Sequence, residues 1–584
     1  MIRTLLAAWI LLLHWTYSAD WPRPYDDWKN TVFYLGAGVF GLVFVLKQRG
    51  SFLEKLAKPL LWIGLYLAVC LVLIQVPAYE GYLAWARLLL WAGLIGLLMQ
   101  TEKDDLLFLG NLSLLSASLI AALAWSVYWM QYHELSFFHF TTAYTANVIP
   151  PIGHISYFGD FAGLHIPLAV WFLVRGGTRW QKKLGALSFI LLLGGAWISG
   201  TRATLFAIFI SVLFALLLFL KAKILNLRQA ALLFVAFLCL LAGLALFQPS
   251  GFRTQPVLTR VTETFQAGRP EKQATVLGVK APVELITGTR TLALYQSFKM
   301  FLERPLRGWG VGSFRFVYPP FSQFPRPNED FSERSWFYHP HNEFAHQVVE
   351  GGLLGLGLFL ALFVLLFVKG ITALQKNSVE EIVPVVIALS GLVFLIVSWQ
   401  FSTTFLNPLI RLMTAFYVAL ILKYPLPLAC PEPCRRAGEG KGEGGLFSVR
   451  WIVIPLVLLF LGSTTLLGSY QLSLYYMLHG KRSIEPADKE KYLSRAVHLA
   501  PGAFDPLLAC VAWRGGYEGY PKVEREVERL LKNYPHVPLV LYHAALLRIE
   551  QERNEEAIRL LEQALQIAPA FKEGKRVLEI LSPS

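Results

Sequence analysis

The sequence predicts an all-α fold: a polytopic helical membrane protein of about 12–13 transmembrane helices, with a large extracytoplasmic loop and a C-terminal α-solenoid. Three observations lead to this prediction. Of the 584 residues, 55% are hydrophobic and only 16% are charged, a composition typical of a bilayer protein. Apolar runs long enough to span a membrane recur as far as Leu467. Beyond that residue the chain repeats a helical pattern instead.

The first apolar run covers residues 2–19. It has one arginine, an apolar centre and a small-residue end, so it suits a cleaved signal peptide as well as a first membrane helix. About 20 apolar residues span the hydrocarbon core of a bilayer. By that measure the other candidate spans, some of them short, are residues 31–46, 59–76, 81–98, 106–130, 161–174, 184–199, 203–220, 230–247, 351–368, 382–399, 406–422 and 451–467.

The distribution of Lys and Arg predicts how these spans are threaded. Basic residues cluster at 47–58, 175–183, 221–228 and 369–376, and alternate threading puts all four clusters in the cytoplasm, as the positive-inside rule requires. Topology therefore explains the formal net charge of +14, and no nucleic-acid partner is expected. The same threading places residues 248–350 outside, where Lys and Arg outnumber Asp and Glu and suit an anionic substrate.

The spans also divide the chain into domains. A membrane domain covers residues 1–422, a Pro/Gly-rich cytoplasmic linker covers 423–450, and a final membrane helix covers 451–467. That helix delivers the C-terminal domain, residues 480–584, to the same side as the large loop. Membrane lipids are expected around the first and third of these segments.

The C-terminal domain carries an internal repeat. Pro501, Pro535 and Pro569 lie 34 residues apart, and each follows a helical segment. This period resembles the tetratricopeptide repeat, in which stacked helix pairs build a concave surface. Such repeats would dock an acceptor, a second copy or a protein partner, or would serve as a packing cap on the membrane domain. The sequence leaves both possibilities open.

Three motifs lie in the outer loop and at its end. Gly288-Thr289-Arg290 opens a segment whose Leu292, Tyr295, Phe298 and Leu302 share one helical face. Residues 305–312 form a Pro-x-x-Gly-x-Gly turn, and His341-Asn342 precedes a Gly-rich helix start. A further motif, Ser-Gly-Thr-Arg at 199–202, lies between two apolar runs. Their order and spacing resemble the O-antigen ligase and O-antigen polymerase superfamily over roughly residues 184–368.

The resemblance implies a glycosyltransferase of the cytoplasmic (inner) membrane, acting at its outer face on a glycan carried by undecaprenyl diphosphate. The acceptor hydroxyl would belong to a lipid, a protein or another glycan. Arg202 and Arg290 would neutralise the departing diphosphate in a water-poor site, and His341 would accept the acceptor's proton near neutral pH. The substrate-binding residues that follow from the resemblance are Gly308, Gly310, Gly312, His339, Asn342 and Glu343.

Each of these residues also has a purely structural interpretation. Arg202 would snorkel to lipid headgroups, Arg290 would be a solvated surface residue, and His341 would cap the following helix. The glycines would serve only a tight turn. A second polar group, His154, Asp160 and His165, is a weaker candidate for acceptor binding.

Other functions are disfavoured by what the sequence contains. It has no Walker-type loop and no His-Glu-x-x-His pattern, and its outer loop has no convincing acidic cluster, so neither a cofactor nor a metal is expected. A protein O-oligosaccharyltransferase of the same superfamily fits the same motifs. A transporter of polysaccharide or lipid-linked glycan would instead show interrupted helices in two matching halves. A non-catalytic assembly scaffold is the remaining alternative.

Overall fold

The structure is a computed structural model. It describes residues 2–16, 26–47, 63–75, 77–132, 148–149, 151–175, 178–246, 273–276, 279–282, 289–322, 338–376, 379–403, 405, 407–423 and 446–582. The first nine helices are α1 (Ile2–Trp15), α2 (Asp26–Lys47), α3 (Ile63–Val72), α4 (Ala78–Gln100), α5 (Lys103–Tyr132), α6 (Ile155–Arg175), α7 (Arg179–Ile198), α8 (Arg202–Lys221) and α9 (Leu227–Leu246).

Twelve more helices follow in the described part of the chain. They are α10 (Thr289–Glu303), α11 (Phe314–Val317), α12 (Glu343–Lys376), α13 (Val379–Ser398), α14 (Pro408–Lys423), α15 (Leu446–Arg482), α16 (Pro486–Leu499), α17 (Phe504–Glu518), α18 (Glu524–Asn533), α19 (Pro538–Glu550), α20 (Asn554–Ile567) and α21 (Lys572–Leu581). Two small antiparallel hairpins interrupt them. Strand β1 (Val148–Ile149) pairs with β2 (Gly153–His154), and β3 (Gln273–Val276) pairs with β4 (Val279–Pro282).

The predicted helical membrane class is confirmed. Among the described residues, eight helices are long and apolar enough to cross a membrane, and α1 and α3 are apolar but shorter. The larger number of spans expected from the sequence stays a prediction. Helix α14 lies at the centre of the bundle, since every residue from Pro408 to Leu422 is buried. A helix that is apolar all round is expected to be surrounded by protein or lipid on every side.

The start of α12 differs from the predicted boundary at residue 351. The helix begins at Glu343, because Asn342 caps it: its Oδ1 accepts a hydrogen bond from the backbone N–H of Ala345 at 2.9 Å. A break then occurs at Gly352, whose φ of 61° and ψ of −159° are not helical. The apolar run therefore forms the part of α12 that follows the break, and the part before it belongs to the polar site.

At the break at Gly352, the segment that follows α10 hydrogen-bonds to the backbone of α12. The backbone N–H groups of Leu353 and Leu354 donate to the carbonyl oxygens of Pro305 and Leu306, at 2.8 and 3.3 Å. A Cβ on Gly352 would lie 2.4 Å from the Leu306 oxygen, so only glycine allows this approach. The Pro-x-x-Gly-x-Gly turn is thus fastened directly to α12.

The final membrane helix is longer than predicted. Instead of ending near residue 467, α15 continues to Arg482, because residues beyond Leu467 still have protein to pack against: Tyr470, Leu474 and Met477 are buried. Of the predicted linker, residues 424–445 lie outside the described residues. The C-terminal domain begins at Pro486, only four residues after α15 ends.

Helices α16 to α21 pack one after another in the C-terminal domain. The predicted helix ends are confirmed: α16, α18 and α20 end at Leu499, Asn533 and Ile567, each just before one of the repeating prolines. Their identification as tetratricopeptide repeats stays a prediction. The domain packs on α11, where the centroid of the Phe316 ring lies 5.2 Å from that of Phe504 and 4.7 Å from that of Tyr534.

Candidate active site

The glycine turn between α10 and α11 is held by backbone hydrogen bonds. The N–H groups of Trp309 and Gly310 donate to the carbonyl oxygens of Val349 and Glu350, both at 2.9 Å. Gly308 has a φ of 65°, and a Cβ there would lie 2.5 Å from the Val349 oxygen. The glycines of this turn therefore let one backbone lie directly on another.

Glu350 ties the turn to α12 through its side chain. Its two carboxylate oxygens accept hydrogen bonds from the backbone N–H groups of Gly312 at 2.9 Å and Phe314 at 3.1 Å. The same carboxylate lies 3.2 Å from Nε2 of His346, one helical turn away. A buried carboxylate with this many donors is stabilised by them, and it sets the position of the loop relative to the helix.

His346 lies between two acidic side chains of its own helix. Its Nδ1 is 3.6 Å from Glu343 and its Nε2 is 3.2 Å from Glu350, and all three side chains are buried. Its ring is nearly perpendicular to that of Phe314, with centroids 6.0 Å apart, and the centroid of the His339 ring lies 5.8 Å away. The first two turns of α12 thus present a compact set of ionisable groups.

These groups open onto a cavity of about 200 Å³, which we call the central cavity. One side, the loop wall, comes from the segments between α10 and α12 and from α12 itself: Gly312, Phe314, Arg315, Phe316, Tyr338, His339, His346 and Glu350. The other side, the bundle wall, comes from other membrane helices and the segment before α14: Asp27, Asn30, Tyr34, Glu80, Ala84, Arg87, Tyr157, Asn407, Arg411, Tyr470 and Gln471.

The bundle wall brings two arginines from distant helices together. Arg87 and Arg411 line both the central cavity and a smaller adjoining cavity of about 70 Å³, which also reaches Glu343. Arg411 is 4% exposed, and it donates through Nε to the Phe405 carbonyl at 2.8 Å and through a terminal nitrogen to the Tyr34 hydroxyl at 3.3 Å. A charged side chain inside a membrane bundle marks a functional site by default.

The central cavity lies at one end of the helix bundle. Its lining residues on α2, α4, α6 and α12 belong to the first three turns of those helices, and Arg411 belongs to the first turn of α14. Only α15 reaches the cavity from its C-terminal half, and it leads straight into the C-terminal domain. The cavity, its loop wall and the C-terminal domain therefore share one end of the bundle.

Arg315 connects the loop wall to the C-terminal domain. Its guanidinium donates to both carboxylate oxygens of Asp505, at 2.8 and 2.9 Å. Burial by itself lowers the pKa of Arg315, but attraction to Asp505 outweighs it, so the pKa lies above its ordinary value. The pair is a bidentate contact between two charged groups, and it couples the position of α17 to that of the cavity.

The predicted base, His341, lies beside this cavity but does not line it. Its side chain is exposed, and its backbone has a φ of 55°, a conformation uncommon for residues other than glycine. His339, two residues earlier, is the histidine of this segment that lines the cavity together with His346.

Both ends of the Asn342 amide have partners within the protein. Its Oδ1 accepts from the backbone N–H of Ala345, and its Nδ2 donates to the Gln400 carbonyl at 2.8 Å.

Of the two predicted arginines, Arg202 is described by the structure and is not among the residues that line the central cavity. Arg202 is exposed and begins α8. It lies at the same end of the bundle, because the neighbouring Thr204 donates a 2.5 Å hydrogen bond to Asp160 in the second turn of α6. Arg290 is in the first turn of α10, as predicted, but its side chain lies outside the described part of the structure.

The face that helix α10 buries is not the apolar face by which the sequence predicted this helix. Ala293, Gln296 and Met300 are buried, whereas Phe298 is 40% and Leu302 57% exposed. The apolar face identified in the sequence therefore points away from the protein core.

Residues 187–360 match the model of the O-antigen ligase family. The match supports the resemblance to this superfamily and covers all of the loop wall, but it covers no residue of the bundle wall. No curated protein matches the chain at a significant level.

The O-antigen ligase resemblance did not point to Arg87, Arg411, Glu350 or Arg315, which sequence reasoning missed. For the first two a signal was present, since each is an arginine within a predicted membrane span. Asp160 and His165, from the second polar group, have partners deep in the bundle: Asp160 accepts from Ser398 at 2.8 Å, and His165 lies 2.8 Å from the Ser113 hydroxyl.

Proposed function

We propose that this protein transfers a glycan from undecaprenyl diphosphate to an acceptor hydroxyl at the outer face of the cytoplasmic membrane. The observation that carries the proposal is the meeting of two kinds of group at one cavity. The segment that matches the O-antigen ligase family supplies His339, His346 and Glu350, and the membrane helices supply Arg87 and Arg411. Acid–base groups and arginines at one cavity can activate a hydroxyl and bind the oxygens of a glycan substrate.

In this reaction the acceptor oxygen forms a bond to the anomeric carbon while the bond from that carbon to the diphosphate oxygen breaks. The acceptor's proton passes to His341, and the electron pair leaves with the diphosphate. Arg202 and Arg290 neutralise the charge that builds on the leaving group, as the family resemblance implies. The left-handed backbone of His341 supports a role for that residue, because strained conformations concentrate at functional sites.

The test uses purified full-length protein in lipid nanodiscs, with carrier-linked glycan extracted from the producing organism as donor. Three acceptors are offered separately: lipid A core, a second carrier-linked glycan, and a peptide rich in serine and threonine. Transfer to any one of them supports the proposal and names the reaction as ligation, polymerisation or protein glycosylation. No transfer to any acceptor, with the donor intact at the end, contradicts it.

The proposed sidedness has its own test. Ile484, just after α15, is 96% exposed, and Trp180, at the start of α7, is 78% exposed. In a background without the native cysteines, a membrane-impermeant maleimide added to whole cells whose outer membrane has been permeabilised should label Ile484→Cys. It should label Trp180→Cys only after the inner membrane is opened. The reverse pattern would place the cavity and the C-terminal domain on the cytoplasmic side.

A further inference from the structure

We propose that the bundle wall is a binding site for one sugar ring of the glycan substrate, held by the amides of Asn407 and Gln471. This inference rests on the proposed function and adds a substrate-binding site that the family match does not reach. Asn407 precedes α14 and is 3% exposed. Its Oδ1 accepts a hydrogen bond from the backbone N–H of Leu409 at 2.9 Å, which leaves Nδ2 as the end of the amide available to a ligand.

Both amides have hydrogen-bonding capacity that the protein does not use. Within the described part of the chain, Nδ2 of Asn407 and Oε1 of Gln471 are buried and hydrogen-bond to no other group. Gln471, on α15, is 2% exposed, and both side chains line the central cavity. Buried polar groups in folded proteins are nearly always satisfied, so a donor and an acceptor left over in one cavity indicate a ligand that both accepts and donates.

The charges of the bundle wall favour a neutral, hydroxyl-rich ligand over a diphosphate. This wall contains two arginines, Arg87 and Arg411, and also two acidic residues, Asp27 and Glu80, whose carboxylates would repel a diphosphate. A sugar hydroxyl suits all of these groups, because it can donate to a carboxylate and accept from a guanidinium or an amide. The cavity of about 200 Å³ is of the size of a single hexose ring.

Water is the rival occupant, since a water molecule also donates and accepts. The two are distinguished by measuring binding of the sugar itself. The probe is the radiolabelled glycan released from its carrier by mild acid, and the comparison ligand is undecaprenyl diphosphate without sugar. Both are titrated by equilibrium dialysis against full-length protein in nanodiscs.

Two substitutions remove the unused groups while nearly keeping the shape of each side chain. Asn407→Asp keeps the oxygen that caps α14 but loses the Nδ2 donor, and Gln471→Met keeps the length of the side chain. Each should weaken binding of the released glycan about 5- to 10-fold, the effect of one lost hydrogen bond, and should raise KM more than it lowers kcat. Binding of undecaprenyl diphosphate should be unchanged.

The matched control is Asn226→Asp. Asn226 also caps a membrane helix, since its Oδ1 accepts from the backbone N–H of Gln229 at 2.8 Å, but it lies away from the central cavity. This variant should bind the glycan like the wild type. The inference is overturned if the wild type does not bind the released glycan, or if all three variants bind it equally. A wild type that binds the glycan but transfers it to no acceptor would retain the sugar site and refute the proposed function.

Discussion

The two walls of the central cavity are built on different principles. In the loop wall Glu350 accepts two backbone hydrogen bonds and contacts His346, and Arg315 is paired with Asp505. In the bundle wall Asn407 and Gln471 keep unused hydrogen-bonding groups. A saturated network fixes geometry, whereas unused groups at a cavity are available to a ligand. We infer that the loop wall positions the reacting groups and the bundle wall recognises the substrate.

The largest effect is expected at the edge of the loop wall. His341→Ala should lower turnover on the order of 10²- to 10⁴-fold, the usual contribution of a positioned base, while donor binding survives. The measurement is the rate of glycan transfer at matched membrane expression. His339→Ala, in the same preparation, should lose much less.

The variant His341→Asn separates the role of the imidazole ring from the role of the backbone conformation. Asparagine tolerates the left-handed conformation that His341 adopts, so this variant keeps the backbone and removes the ring. If the ring is the base, His341→Asn should be as slow as His341→Ala. Recovery of activity in His341→Asn would show that the residue matters only for the turn before α12.

The next largest effect is expected at Glu350, which holds the loop wall together. Glu350→Gln keeps one acceptor oxygen but loses the charge that attracts His346, at a cost of about 2 kcal/mol in the free energy that holds the turn on α12. Residues 304–314 should then exchange amide hydrogens faster, and activity should fall more through kcat than through KM. Unchanged exchange in this segment would contradict the positioning role.

Loss of the contact between the loop wall and the C-terminal domain should reduce activity less than the changes at His341 and Glu350. Arg315→Ala removes a bidentate pair with Asp505 and should reduce turnover several-fold, because about 2 kcal/mol of docking energy is lost while Phe316 still packs on Phe504 and Tyr534. The reversed pair, Arg315→Asp with Asp505→Arg, should recover part of the loss. If the reversed pair is no better than Arg315→Ala alone, the contact does not act through its charges.

The smallest effect, on stability alone, is expected in the C-terminal domain, away from both walls. Burial lowers the pKa of His543 to about 4, and its Nδ1 lies 2.8 Å from the Tyr520 hydroxyl. The unfolded histidine has a pKa near 6.5, so below that pH it binds more protons than the folded one. The free energy of unfolding is therefore at its full value above about pH 6.5 and falls as the pH is lowered toward 4. The loss at pH 5 is about 2 kcal/mol.

Hydrogen exchange checks this pH dependence. After correction for intrinsic rates, peptides from residues 520–550 should exchange faster at pH 5 than at pH 7 in the wild type. In His543→Gln the difference between the two pH values should be smaller. An equal pH response in both proteins would assign the destabilisation to other groups.

Several features of this protein are determined by the sequence alone. Helical membrane spans follow from the length of the apolar runs, the helix after Gly288 follows from its periodicity, and the ends of α16, α18 and α20 follow from the repeating prolines. The motifs at 288–290, 305–312 and 339–343 also indicate the segment that forms the loop wall, although not the bundle wall. These are local properties, because they depend on composition and spacing over a few turns of chain.

The tertiary structure alone decided how the cavity is assembled. Arg87 and Arg411 are more than three hundred positions apart in the sequence, so no local pattern predicts that they line one cavity. The break at Gly352 likewise depends on Leu306, which is distant in sequence and whose carbonyl group packs against the backbone of α12 there. The site arises from packing between distant helices, and its shape, charge balance and unused hydrogen-bonding groups exist only once those helices are in contact.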